Sequence, residues 1–263
     1  MTGGDLSLSN IEVRWNGRSI LAVKDMHIRR GEFVGIIGTN GAGKTTLLKV
    51  CCGLIKPTRG TIELDGRDLA GLSAWRKANV RKHIGYIPQA AEYNADLPFT
   101  LRELVAMGRT SIKPLLHPLN KEDYEIVDHW IERLALSDRR SQTFRSLSGG
   151  EQQKALIARA MAQDPEILML DEPCSNLDFN WKYQITEIIG QLHRESQITI
   201  MMVSHETSLL PSDCKRAILL HEGNILADGS TEEVLEPKVL EKAYRCRVDI
   251  LKLANRRYAV NKG

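Results

Sequence analysis

The stretch Phe33-Val34-Gly35-Ile36-Ile37-Gly38-Thr39-Asn40-Gly41-Ala42-Gly43-Lys44-Thr45-Thr46-Leu47-Leu48 decides the fold. Its first five residues form a nearly continuous apolar run, which suits a strand buried on both faces, as in a parallel sheet. Its end opens a helical pattern, with Leu47, Leu48, Cys51 and Leu54 at buried spacing until Gly53 and Pro57 close it. Between the two, Gly38 to Thr45 fits G-x-x-x-x-G-K-[ST] in full, placed after a strand and at the start of a helix as that motif requires. Glycines let successive backbone N–H groups turn inward around phosphate oxygens, and the helix N-terminus adds a favourable field. Lys44 can reach the β- and γ-phosphates, and the Thr45 hydroxyl can ligate Mg²⁺.

Outward from this loop, Ile11, Val13 and Trp15 alternate with polar neighbours before an Asn16-Gly17 turn, and Thr61-Ile62-Glu63-Leu64 alternates up to Asp65-Gly66. From about residue 100 to 163 the period is helical, marked by Leu101, Leu104, Val105, Ile126, Trp130, Ile131 and Leu134. Strand-like Ile167 to Leu170 and Ile198 to Val203 then alternate with helical stretches, the rhythm of an α/β sheet. A hairpin is expected at Glu222-Gly223, and a capping box at Ser230-Thr231-Glu232-Glu233. The fold class expected is α/β: a P-loop NTPase core with an antiparallel β subdomain and an inserted helical subdomain. One domain over 5–240 is expected, with the helical insertion at about 90–163 and a C-terminal tail over 241–263.

Two strand ends carry further chemistry. Leu168-Met169-Leu170-Asp171-Glu172-Pro173 is an apolar strand ending in two carboxylates, and in open α/β sheets ligands sit at strand C-termini. Asp171 would face the metal. Glu172, free of it, could polarise the attacking water, because a carboxylate tied to Mg²⁺ is a poor base. Val203-Ser204-His205-Glu206 ends the next strand and places His205 on the same edge, where it could donate to the γ-phosphate.

Leu147-Ser148-Gly149-Gly150-Glu151-Gln152-Gln153 precedes a helix from Glu151 to Ala162, and Ser148-x-x-Glu151 is a capping box adequate for the fold alone. Gly149 and Gly150 at that helix start also expose N–H groups to an anion. With this segment the chain resembles the ABC ATPases. LSGGEQQ at 147–153, GTNGAGKTT at 38–46, ILMLDEP at 167–173, SNLD at 175–178, Gln89 in Ile84-Gly85-Tyr86-Ile87-Pro88-Gln89, and His205 fall in that family's order and spacing. The likeness runs from about residue 5 to 235. It implies that Trp15 stacks on the adenine of ATP and that Gln89 ligates Mg²⁺ and reports nucleotide state to a membrane partner. It implies that Ser148 and Gly150 bind the γ-phosphate of ATP held by a second copy in a head-to-tail homodimer. It also implies that Ser175 to Asp178 communicate between the two sites. Trp15 stands where tyrosine is commoner, and Asn176 replaces the usual alanine.

The bulk numbers agree with such a subunit. A net charge of +3 on 36 basic and 33 acidic side chains gives no support for nucleic-acid binding. No stretch approaches the roughly 18 apolar residues of a membrane span. The N-terminus lacks the basic and then apolar regions of a secretion signal, so the chain is expected to stay in the cytosol; the resemblance implies a place at the cytoplasmic face of the inner membrane, held there peripherally by separate integral-membrane permease subunits. Five cysteines without a CxxC pair read as reduced structural thiols. The segment Phe99 to Arg109 resembles iron-siderophore, haem and cobalamin importers, which implies iron or other metal-chelate uptake and, indirectly, a substrate-binding protein. Zinc or manganese import is the alternative within the family, and a soluble assembly-scaffold ATPase the alternative outside transport. The interval from Lys44 to Asp171 leaves no room for the coiled coils of DNA-repair relatives. The stretch from Gln89 to Ser148 is the expected output surface, centred on residues 90–110.

Overall fold

The structure is a computed structural model that describes residues 4–69, 71–72, 74–89, 98–114, 116–253 and 256–262, the side chains of 74–77 and 256 apart. The first part of the output surface, residues 90–97, therefore lies outside the described residues. The remainder of it, from 98, is the approach to a helix described below.

The chain opens with an antiparallel pair, β1 (Leu6–Trp15) and β2 (Arg18–Ile28). They are joined at Asn16-Gly17, where both φ values are positive, 49° and 78°, as the tight hairpin turn requires. Then come β3 (Phe33–Gly38), α1 (Lys44–Cys51), β4 (Arg59–Leu64), β5 (Arg67–Asp68), α2 (Ala74–Arg81) and β6 (Ile84–Ile87). Three helices follow, α3 (Leu101–Thr110), α4 (Lys121–Arg133) and α5 (Gly149–Ala162), before the chain re-enters the sheet at β7 (Ile167–Asp171). The last part holds α6 (Phe179–Ser196), β8 (Thr199–Val203), β9 (Arg216–His221), β10 (Asn224–Ser230), α7 (Thr231–Val234), α8 (Pro237–Tyr244) and the hairpin β11 (Val248–Leu253) and β12 (Arg256–Asn261).

Among the described residues one sheet has ten strands in the order β5-β4-β1-β2-β10-β9-β3-β8-β7-β6. Strands β9, β3, β8, β7 and β6 run parallel, and β1, β2, β4 and β5 pair antiparallel. The observed fold is the α/β P-loop NTPase expected from the loop at 38–45. In the parallel half, alternate residues feed two cores. Phe33, Ile37, Leu168, Leu170, Ile200 and Met202 join the core beneath α3 to α6. Val34, Ile36, Met169, Met201 and Val203 join the core shared by α1 and the antiparallel strands. Such two-sided burial explains why these strands read as unbroken apolar runs.

Two apolar residues depart from the sequence pattern. Trp15 is 68% exposed, because the register shifts between Val13 and Arg14 and the alternation ends there. Leu54 is 47% exposed: α1 stops at Cys51, and Gly53 at φ +65 turns the chain away before Leu54. From residue 240 onward, Leu240, Ala243 and Val248 belong to the main core, and Tyr244, Cys246 and Ile250 pack against it. The cysteines carry no disulfide among the described residues, four of them buried. Burial pushes the Cys214 thiol up to about 12.

Helix α3 lies close on α5. A Cβ at Gly108 would stand 2.1 Å from the Arg159 carbonyl oxygen, so the glycine is there for space. Ordinarily Gly→Ala within a helix stabilises by up to about 1 kcal/mol. Here Gly108→Ala is expected to reverse that sign and cost about 1–3 kcal/mol through overpacking, read as a lower urea midpoint. A raised midpoint would contradict the close packing.

Candidate functional site

The cleft beside the glycine-rich loop is built where β3 ends. Gly38 has φ +149, and a Cβ there would meet the Leu220 carbonyl oxygen at 2.3 Å. The strand therefore leaves the sheet hard against β9. Gly41 and Gly43 follow at φ +77 and +97. Gly43 is the N-cap of α1, with no side-chain cap and no acidic residue in the first turn. The orphan N–H groups of this helix start thus face the cleft with the positive end of the helix dipole, the arrangement an anion fills. The cleft has a volume of about 440 Å³ and is lined by Ile20, the loop from Asn40 to Thr46, Gln89, Glu172 and His205.

Lys44 is only 6% exposed. Its Nζ donates to the carbonyl oxygens of Gly38 at 2.9 Å and Thr39 at 3.1 Å, and stands 3.8 Å from Glu172 Oε1. Desolvation lowers its pKa, while the charges of Glu172 and Asp171 act the other way. Its neighbour Thr45 donates from Oγ1 to Asp171 Oδ1 at 3.1 Å. Asp171 is fully buried at the end of β7.

One step further, Glu172 turns the chain at φ +48, a region that non-glycine residues enter seldom and often at functional sites. That turn aims its carboxylate back over the strand ends. Gln89 Nε2 donates to Oε2 at 3.3 Å, and His205 Nδ1 lies 3.3 Å from the same oxygen. One carboxylate thus gathers Lys44, Gln89 and His205 from three separate strand ends. The Thr45 hydroxyl, the Asp171 carboxylate and the Gln89 amide offer the hard oxygen donors that suit Mg²⁺.

Not every expected site residue lies here. Trp15, at the exposed end of β1, does not line the cleft, whereas Ile20 does, an apolar strand residue that carries no chemical signal in the sequence. Ser148, Gly149 and Gly150 do not line it either. Ser148 is the N-cap of α5, and its capping box with Glu151 is complete: Ser148 N and Oγ donate to Glu151 Oε2 at 2.8 and 2.9 Å. The backbone hydrogen bond from Ser148, first of several contacts, holds the Glu151 carboxyl below its usual range. That box caps the Glu151 N–H and leaves the N–H groups of Gly149 and Gly150, the first two helical residues, outside the cap. Asn176 sits at φ +63, a left-handed position that asparagine tolerates better than the alanine it replaces.

Known proteins resemble this chain in sequence and in fold. The chain matches the ABC transporter family over residues 21–175. The petrobactin import ATP-binding protein of Bacillus anthracis is 37% identical over 226 residues, 86% of this chain and 81% of that one. The zinc uptake system ATP-binding protein of Listeria innocua is 32% identical over 229 residues, 87% and 86% of the two chains. A solved dimer of an ATP-binding cassette in a post-hydrolysis state, bound to ADP and Pi, superposes with a TM-score of 0.76 at 25% identity, covering 86% of this chain and 98% of that one. An inward-facing ABC transporter described as of metal-chelate type shares the fold along the whole length, with a TM-score of 0.83, 22% identity and 99% of both chains covered. This chain belongs to the ABC transporter family. It is an ATP-hydrolysing subunit of that family.

Lys44→Ala removes a buried cation facing the uncapped loop. A charge-assisted hydrogen bond is worth roughly 1.5–3 kcal/mol, so ATP affinity, titrated with a fluorescent ATP analogue, is expected to fall by about tenfold or more.

Proposed function

We propose that this chain is the peripheral, cytoplasmic-face ATPase of an importer for metal-chelate type substrates, energising separate integral-membrane permease subunits as a head-to-tail homodimer. The observation that carries the reading is the split between two half-sites. The cleft holds the phosphate loop, Glu172, Gln89 and His205, and the anion-ready start of α5 lies outside it. Two copies related by a twofold would bring the Ser148 loop of each to the cleft of the other. No helix among the described residues is long and apolar enough to cross a membrane, which fits a subunit that works through partners.

In the proposed reaction, backbone N–H groups from Asn40 to Thr46 and the Lys44 ammonium hold the ATP phosphates. Thr45, Asp171 and Gln89 would hold Mg²⁺, which when bound neutralises phosphate charge. Glu172 accepts a proton from the attacking water. The water oxygen forms a bond to the γ-phosphorus as the bond to the β–γ bridging oxygen breaks, and ADP and phosphate leave. His205 hydrogen-bonds the γ-phosphate and, through its contact with Glu172, keeps that carboxylate over the reacting atom. Trp15, exposed at the edge of β1, is proposed to stack on the adenine. Ser148, Gly149 and Gly150 complete the γ-phosphate shell of the second copy.

Because each γ-phosphate is then shared by two copies, ATP favours the closed pair and hydrolysis releases it. The exposed part of α3 and its approach, from residue 98 onward, is proposed as the surface that docks the permease. The siderophore import relative supports a metal-chelate cargo, and the zinc relative keeps a bare metal ion as the second reading.

Glu172→Gln keeps the hydrogen bonds and removes the base. Turnover of ATP, measured as released phosphate, is expected to fall about 100-fold or more while ATP binding persists. Unchanged turnover would sink the assignment. Pull-down of the tagged chain from detergent-solubilised membranes of its host should bring down a polytopic permease, and a permease for bare zinc would favour the second reading.

A further inference from the structure

The two glycines at the start of α5 are not required by backbone conformation. Neither Gly149 nor Gly150 is among the residues with positive φ. What surrounds them is a different motif. A Cβ on Gly150 would fall 1.9 Å from Trp181 Cδ2, 2.3 Å from Cε3 and 2.4 Å from Cε2. A Cβ on Gly149 would lie 3.4 Å from Leu177 Cδ2. The Trp181 indole therefore fills the volume that any other residue at 150 would occupy.

Trp181 is itself held from below. It is the third residue of α6, and its backbone N–H donates to Asp178 Oδ1, the N-cap, at 2.9 Å. Lys154 Nζ, one turn beyond Gly150 along α5, lies 5.2 Å from the ring centroid, within cation–π range. A continuous chain of contacts thus runs from the Ser175–Asp178 segment, through the cap, into the indole and against the backbone that carries the uncapped N–H groups.

We propose that Trp181 is a positioning residue for the Ser148–Gly150 loop: its flat indole is the floor that fixes the backbone carrying the uncapped N–H groups of Gly149 and Gly150, and it ties that loop to the Ser175–Asp178 segment. A flat aromatic surface suits this role because it supports a backbone at contact distance with few rotatable bonds. Trp181 does not line the phosphate cleft of its own chain. Its effect falls on the half-site offered to a second copy, so the inference rests on the head-to-tail reading.

The test uses the full chain in a Glu172→Gln background, where ATP is bound and not turned over. ATP-dependent dimerisation is measured by sedimentation velocity, and affinity for a fluorescent ADP analogue is measured separately as the readout of the chain's own phosphate cleft. Trp181→Ala is expected to weaken ATP-dependent dimerisation at least tenfold while ADP affinity stays within twofold, and Trp181→Phe to recover most of the loss. Should the alanine variant fail to fold, Trp181→Leu, which keeps apolar volume without the flat face, is expected to show the same split. Dimerisation within twofold of the parent, or an equal fall in ADP affinity, overturns the positioning role. If the Glu172→Gln parent shows no ATP-dependent dimer, the head-to-tail reading falls, and this one with it.

Discussion

A buried cation sets the terms for the rest of the structure. Lys44 is nearly sealed from water, and an ammonium taken into such a place needs compensating charge and hydrogen bonds. Two loop carbonyls supply part of the answer, and the Glu172 and Asp171 carboxylates supply the charge. Those carboxylates stand at the end of β7, two strands from β3, with β8 between them. The order β3-β8-β7 is therefore what lets one lysine and one acid pair share a single edge. Had β7 lain elsewhere, the loop would have held an uncompensated charge. The left-handed turn at Glu172 serves the same end: it bends one carboxylate back over the edge, where Gln89 and His205 meet it.

Much of this was legible in the sequence, for identifiable reasons. Two-sided burial makes β3, β7 and β8 read as apolar runs, and the glycine spacing before Lys44 has few structural uses besides an uncapped helix start. The acid pair and His205 were legible because strand C-termini share an edge in a parallel sheet. The failures are equally physical. Leu54 kept the helical period after the helix had closed, since a period cannot register the turn at Gly53. Trp15 kept the strand period past the register shift that ends it. The hairpin of β11 and β12 gave no sequence signal, because its burial depends on a distant partner: Thr207 Oγ1 accepts from the Ala259 N–H at 3.0 Å and donates to the Arg257 carbonyl at 3.2 Å. Nor could any local pattern have placed Trp181 against Gly150.

That last contact bears on how motif glycines are to be understood. The glycines before Lys44 are conformational, since Gly41 and Gly43 take left-handed φ values where a side chain would be strained. Gly149 and Gly150 have ordinary helical backbones, and their lack of a side chain is a matter of room. The two loops share the physics of an open helix start and are built by different means. The first is carved by its own backbone and is complete within one chain. The second is a helix start whose capping box satisfies the chain's own groups and whose remaining N–H groups have nothing in the same cleft to bind. In the proposed head-to-tail pair, those donors meet the anion held in the cleft of the second copy.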